Sequence, residues 1–359
     1  MKRCLVLILL LVGALSFLMV GGSISPTPAK AQGKIVWRGQ ASWGAGVPVL
    51  YETADYFAKK VAELTNGRLI IKMNPGGSIV PAYKELEGVH KGAIDVACTA
   101  ATIWMGKIKA APLFGSVPGG FEQQEYLGWL YAGGGIKLWQ EMYDRNGYNV
   151  HVCHPHAVIS AENFAWSHKP IRTLADFKGL KFRTIGFWGE ALQKLGARVV
   201  TLPGGEVYPA LERRVLDAAE FSIPAVDKVL GFHEICKYLT VPGVHQPSLV
   251  LETLVNKKSW EKLPDDLKVA VDAAADATMV WCLSCGIKKN AEAMEFFKEK
   301  GVQIIKLSPE VQRQIKKVCE EVIEAHAKKD PFFARVWESQ KKFHALWGPY
   351  KKIITFQFD

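Results

Sequence analysis

Two side chains suited to binding chemistry close short apolar runs that read as strands. Arg183 ends the run 181–184 just before Gly186. Its guanidinium is placed to project into a cleft and hold a carboxylate through two parallel hydrogen bonds, the alternative being an ion pair with a surface acid. Glu220 ends the run 218–221, directly before Phe221 and a polar turn. Trp188, one turn into the helical segment after Arg183, offers an apolar wall. His151, Cys153, His154 and His156 carry imidazole and thiolate donors of the kind zinc and copper accept. On a straight strand these residues divide between two faces, and only a bend after Cys153, which Pro155 permits, would gather them. An interdomain turn with ordinary polar histidines is the favoured reading. Cys282 and Cys285 have the spacing of a redox or metal pair, but they lie a turn apart in a long helical stretch with no strand before them, which favours packing.

Enzymatic signatures are missing. The sequence has no G-x-S-x-G elbow, no phosphate loop ending in Gly-Lys-Ser/Thr, no H-E-x-x-H, and no G-x-G-x-x-G between a strand and a helix. Gly133-Gly134-Gly135 lacks the strand a nucleotide site needs and reads as a helix break. No nucleophile stands with a general base and its orienting partner, so a binding protein is expected rather than an enzyme.

Strand-length apolar runs alternate with amphipathic helical ones, which makes this an α/β protein. Residues 47–64 carry apolar side chains at helical spacing and stop at Asn66-Gly67, and the strand-like run 68–73 follows. A helix over 82–90 leads to a strand at 93–100, two helices fill 123–146, and 149–153 is again strand-like. Further strands are expected at 181–184, 199–202, 218–221, 238–241 and 249–256. The last hundred residues differ: a helix of unusual length begins near Pro264, a strand covers 302–307, and helices broken at Pro331 complete the chain.

The N-terminus has the layout of a secretory leader. Lys2 and Arg3 precede an apolar run over 4–20, and Ala29-Lys30-Ala31 provides a cleavage site after Ala31. A retained anchor is the alternative. Cys4 precedes the apolar run and is not placed as a lipid-bearing cysteine, and no later segment reads as apolar enough to span a membrane. A mature protein outside the cytoplasm, in a periplasm, is expected. Loss of Lys2, Arg3 and Lys30 lowers the formal charge from +10 to +7. This moderate excess is spread along the chain; it suits attraction of an anionic solute better than a nucleic-acid footprint. The six cysteines that remain leave the disulfide question open.

The segment FKGLKFRTIGFWGEALQKLGARVVTLPGGEVYPALERRVLDAAEF, residues 177–221, resembles the solute-binding proteins of tripartite ATP-independent periplasmic (TRAP) transporters. GAIDVACTAATIWMGK at 92–107 is similar to the same family. YLTVPGVHQP at 238–247 resembles a pocket-lining stretch in its subgroup for 2-oxo and 2-hydroxy acids. The resemblance implies two α/β lobes with crossing connections and a long spanning helix. Expected boundaries are 32–154 with 247–285 for the first lobe, 155–246 with 286–307 for the second, and C-terminal helices over 308–359. It implies an extracytoplasmic receptor for a small carboxylate such as pyruvate or lactate, with TRAP membrane subunits as partners.

By the same resemblance Arg183 holds the substrate carboxylate, while Glu220, the backbone carbonyl of Phe221 and an upstream glutamine hold a cation that bridges to it. Here Phe221 stands where the subgroup usually has Trp, and Glu162 aligns with the glutamine. An extra carboxylate raises the negative charge of the site and favours Ca²⁺ over Na⁺; the alternative is that Glu162 is shifted in the alignment and faces solvent. Trp104, Thr102, Tyr208 and Gln246 are further pocket candidates. Val244-His245-Gln246 departs from the family's W-H-E, which touches substrate identity. Phe332, Phe333, Val336, Trp337, Phe343 and Trp347 give the C-terminal helices an aromatic face for a homodimer or for intramolecular packing. Two rival functions share these residues: an exported metal-dependent enzyme built on Glu162 and Glu220, and a ligand receptor for a membrane sensor kinase.

Overall fold

The structure is a computed structural model and describes residues 33–355. The expected leader and cleavage site lie outside the described residues. Strands β1 (Ile35–Ala41), β2 (Leu69–Asn74), β3 (Val96–Thr99), β4 (Val150–Val152) and β5 (Ala157–Ile159) come first along the chain. Then follow β6 (Ala165–Ser167), β7 (Lys181–Arg183), β8 (Arg198–Val200), β9 (Ala218–Ala219) and β10 (Tyr238–Val241), with β11 (Leu249–Asn256) and β12 (Gln303–Lys306) last. They form two sheets, one per lobe. The first runs β2-β1-β3-β11-β4, with β5 also paired to β11; the second runs β12-β10-β6-β9-β7-β8.

Local chemistry explains the first crossover. In the helix Leu50–Leu64, Leu50, Ala54, Phe57, Ala58 and Val61 fall on one buried face, and the Glu52 carboxylate accepts the Val49 N–H at 2.9 Å. That face covers the parallel pair β1 and β2, as a helical connection between parallel strands requires. Strand β11 is buried along its whole length and pairs antiparallel with β3, β4 and β5. Its near-continuous apolar sequence follows from burial on both faces, with Glu252 the charged exception.

The chain passes from the first sheet to the second at 160–164 and returns at 242–248. Because β5 stays in the first sheet, the first crossing falls later than the expected position 155. The helix Asp265–Glu299 makes a third connection: Leu267, Val271, Ala274, Ala275 and Cys282 join one core, Ala293 and Phe297 another. Contrary to the sequence expectation, this helix is long and apolar enough by composition to cross a membrane. Its packing against the helices Leu50–Leu64 and Pro224–Val229 places part of its apolar residues in the core, while Val269, Val280 and Ile287 are exposed.

Three strands escape the sequence reading. In β1, Arg38 and Gly39 interrupt the apolar pattern, while β5 and β6 have three residues each, too few to display a period. The triple glycine does separate two helices, Gln123–Tyr131 and Gly135–Arg145. Pro331 opens the final helix, Pro331–Ile354, with the Asp330 carboxylate accepting the Phe332 N–H at 2.8 Å. The expected aromatic face mostly serves its own chain: Phe332, Phe333 and Val336 are buried, and Phe343 packs on Phe121. The large apolar side chains this helix exposes are Leu346, Tyr350, Ile353 and Ile354.

Candidate functional site

The two crossing segments run side by side. Glu162 N–H donates to Gln246 O at 3.2 Å, Asn163 N–H to Ser222 O at 3.0 Å, and Phe164 N–H to Thr240 O at 2.9 Å. Contact is so close at Gly243 that a Cβ there would lie 2.2 Å from the Glu162 carbonyl oxygen, so only glycine fits. Strand β9 ends beside this junction, and Glu220 N–H donates to Arg183 O at 3.3 Å. The outcome is a cluster of Glu162, Glu220 and His245, whose ligating atoms all lie within 4.8 Å of one another. Their exposures are only 3%, 3% and 4%.

Polar satisfaction is incomplete here. Glu162 Oε2 and both ring nitrogens of His245 have no hydrogen-bond partner. His245 Nε2 lies 3.5 Å from Glu162 Oε2 and 3.9 Å from Glu220 Oε2, while the rings of Phe164 and Trp188 flank it at 5.4 and 6.0 Å. Burial, with Glu220 and then Asp227 adding to it, pushes the Glu162 carboxyl well above the ordinary carboxylate range. Burial likewise lowers His245 to about 4, so the imidazole is neutral near pH 7. Asp227 lies behind the cluster, taking hydrogen bonds from Asn163 Nδ2 at 2.7 Å and Trp166 Nε1 at 2.8 Å, and burial raises it to about 8.

Arg183 is buried and already engaged. Its Nε and Nη2 donate to Leu202 O at 3.1 and 3.0 Å, and its Nη1 donates to Glu220 O at 2.9 Å and to Glu220 Oε1 at 3.3 Å. One Nη2 hydrogen is left uncommitted, rather than the free two-pronged fork that the sequence suggested. The guanidinium also sits 5.1 Å from the Phe221 ring centroid. Arg183, Glu162, Glu220, Phe221 and Gln246 line a small cavity of about 30 Å³. Tyr83, Thr102, Ile103 and Ile185 form the wall between it and an open interlobe cleft of about 400 Å³.

Three expected pocket residues lie elsewhere. Trp188 packs behind His245 against Phe164 and Phe177 and does not reach the cavity. Trp104 donates its indole N–H to Glu252 Oε1 at 2.6 Å inside the first lobe. Tyr208 donates its hydroxyl to Glu234 at 3.2 Å, away from the cluster. Each aromatic is explained by a neighbour that sequence spacing does not reveal. Sequence reading also missed Tyr83, whose backbone has a φ of 66°, and the convergence of His245 on the acids. A polar loop residue with no periodic context gives no such signal.

The histidine run 151–156 does not gather. His151 stacks on Trp260 at 4.0 Å, His154 Nδ1 pairs with Asp276 at 3.0 Å, and His156 Nδ1 meets Thr253 Oγ1 at 3.0 Å. The six cysteines are free, and Cys282 packs in the first-lobe core.

Residues 42–330 match the bacterial extracellular solute-binding proteins, family 7, the DctP family. The chain belongs to this family. A relative from Nostoc sp., a monocarboxylate 2-oxoacid-binding periplasmic protein, is 32% identical over 323 residues, 90% of this chain and 88% of its own. A TRAP solute-binding protein from Colwellia psychrerythraea with bound calcium and pyruvate superimposes with a TM-score of 0.85 at 30% identity, covering 89% of this chain and 97% of its own. One from Pseudoalteromonas atlantica, with bound sodium and pyruvate, gives 0.84 at 30% identity over the same shares. A third, from Bordetella bronchiseptica, contains copurified calcium and picolinate and gives 0.85 at 29% identity, covering 90% of this chain and 95% of its own. This DctP-family protein is thus a TRAP solute-binding receptor with a two-lobed α/β fold and not an enzyme, which removes the alternative of an exported metal-dependent enzyme.

Proposed function

We propose that this receptor binds a small 2-oxo or 2-hydroxy monocarboxylate, such as pyruvate or lactate, between its lobes in the periplasm and delivers it to TRAP membrane subunits. A divalent cation would join the ligand to Glu162, Glu220 and the backbone carbonyl of Phe221. The observation that carries this reading is the unpartnered Glu162 Oε2, buried beside Glu220 and Arg183 in the small cavity. A buried acceptor without a donor is costly, and a cation is the partner that satisfies two facing carboxylates together.

Charge favours a divalent ion. With both glutamates ionised beside a bound ion, they, one arginine and a monocarboxylate total about minus two, which Ca²⁺ balances and Na⁺ does not. Pyruvate and picolinate, bound by the neighbouring structures, share a carboxylate with a donor atom on the adjacent carbon, the pattern that chelates one cation. Arg183 would give the ligand its uncommitted Nη2 hydrogen and the Nη1 hydrogen now shared with Glu220 Oε1, and Gln246 would border it. Both crossings lie at the cavity, so a ligand touching both lobes stabilises the closed form. The exposed Leu346, Tyr350 and Ile353 would supply a homodimer contact.

Isothermal titration of chelator-treated receptor with pyruvate, lactate and picolinate, with and without CaCl₂, tests the reading. Binding is expected to need the cation and to weaken at least tenfold in Arg183→Lys, which keeps the charge and loses the fork. Equal affinity with and without divalent ion would remove the bridging cation.

A further inference from the structure

We propose that Tyr83 sets the chain length of the ligand: its ring partitions the small cavity beside Arg183 from the interlobe cleft, so that the receptor selects short 2-oxo acids over those with longer apolar chains. This rests on the cleft site proposed above.

Four observations carry it. Tyr83 lines both the cavity of about 30 Å³ and the cleft of about 400 Å³; Thr102, Ile103 and Ile185 share that position, and each has a smaller side chain. Tyr83 also belongs to one lobe and reaches the other. It stands between β2 and the helix Glu85–Lys91 of the first lobe. Burial raises its phenol above the ordinary value, while Arg183 and the Gly204 backbone, both of the second lobe, act in the opposite direction. The hydroxyl end therefore lies across the cleft, beside the arginine. The backbone is the third sign. Lys84 N–H donates to Pro81 O at 3.0 Å, closing a turn whose third residue is Tyr83, with a φ of 66°. Glycine is the residue such a position favours, and a bulky one held there is strained, which points to a use for its ring. Lastly, Thr102 is 4% exposed and its Oγ1 has no hydrogen-bond partner. A buried hydroxyl left free in the partition is placed to meet a ligand atom that reaches it.

The two spaces differ in chemistry. The cavity gathers Arg183, Glu162 and Glu220, which suit the carboxylate end of an acid and its cation. Beyond the partition, Ile103, Met105, Ile185 and Val199 suit an alkyl chain. With the Tyr83 ring in place a long chain meets an aromatic wall and must displace it. Without the ring the spaces join, and the same chain is buried against apolar side chains. Selectivity for short acids then comes from exclusion rather than from an added contact.

The test is calorimetry of the mature receptor in CaCl₂ with pyruvate and with 4-methyl-2-oxopentanoate. Wild type is expected to bind pyruvate at least tenfold more tightly. Tyr83→Gly, which removes the ring and suits the left-handed backbone, should shift that ratio at least tenfold toward the longer acid. Tyr83→Phe keeps the ring and should keep the ratio. A merely structural role would weaken both acids together and leave the ratio alone. Should the glycine variant fold poorly, Tyr83→Leu is expected to move the ratio the same way by a smaller step. Equal affinity of wild type for the two acids, or an unchanged ratio in the folded variant, overturns the role of Tyr83 and leaves the cleft site standing. If wild type binds neither acid, both readings fall.

Discussion

Buried carboxylates occur in both lobes, and they are built differently. Glu252, in the middle of β11, accepts Trp104 Nε1 at 2.6 Å and Tyr143 Oη at 2.8 Å, one donor for each carboxylate oxygen. Glu162, at the first crossing, leaves Oε2 without a donor and faces a second acid. Burial raises both carboxyls, Glu252 to about 8 and Glu162 well above its ordinary range. Burial and a raised pKa therefore do not tell a structural acid from a binding one. Completed hydrogen bonding does: an acid with every oxygen satisfied by its own lobe has nothing left to offer a ligand.

Removing Glu252 should give the largest effect. Glu252→Ala leaves the Trp104 and Tyr143 donors buried without an acceptor and opens space around them. A loss of about 3 kcal/mol in urea unfolding is expected, with ligand affinity of the folded fraction unchanged. A loss below about 1 kcal/mol would undo the contrast from the structural side.

The pH dependence of stability follows next. Because the folded Glu252 carboxyl sits above its unfolded value, its contribution is fully present below the ordinary carboxylate range and is lost as pH rises toward about 8. Unfolding of chelator-treated receptor across pH 5 to 8 should therefore show a stability that declines with pH, by up to about 1.4 kcal/mol per unit from this one group. Glu252→Gln should reduce the slope by that share, leaving the part that Asp227 and Glu162 contribute; an unaltered slope would mean that Glu252 stays ionised.

The smallest change in stability is expected at the binding acid. Glu162→Gln replaces a buried carboxyl whose Oε2 no donor satisfies by a neutral amide of the same shape, so the cation-free protein should stay within about 1 kcal/mol of wild type or gain stability. Calorimetry of the same variant should nevertheless find divalent-ion binding weakened about tenfold or more. A large stability loss with intact cation binding would exchange the roles given to Glu162 and Glu252.

Much of the fold was legible because long elements repeat their pattern. The helix Leu50–Leu64 and the largely apolar β11 announce themselves over eight or more residues, and Asn66-Gly67 and Pro331 mark where helices stop and start. Strands β5 and β6 were hidden by their length. The aromatics Trp104, Trp188 and Tyr208 misled for a different reason. Each has a polar tip or broad face that suits a pocket and a core equally, and only the neighbour decides between them.

By itself the sequence determined the periodicities, the turn positions, the order of family-like motifs and the presence of Arg183, Glu162 and Glu220 at element ends, since these depend on residues near one another along the chain. Only the tertiary structure decided which of them meet. Glu162, Glu220 and His245 share one cavity because Gly243 lets the return crossing lie against the Glu162 backbone while β9 ends beside both. Such convergence depends on packing distances between segments far apart in sequence, and no local pattern encodes those.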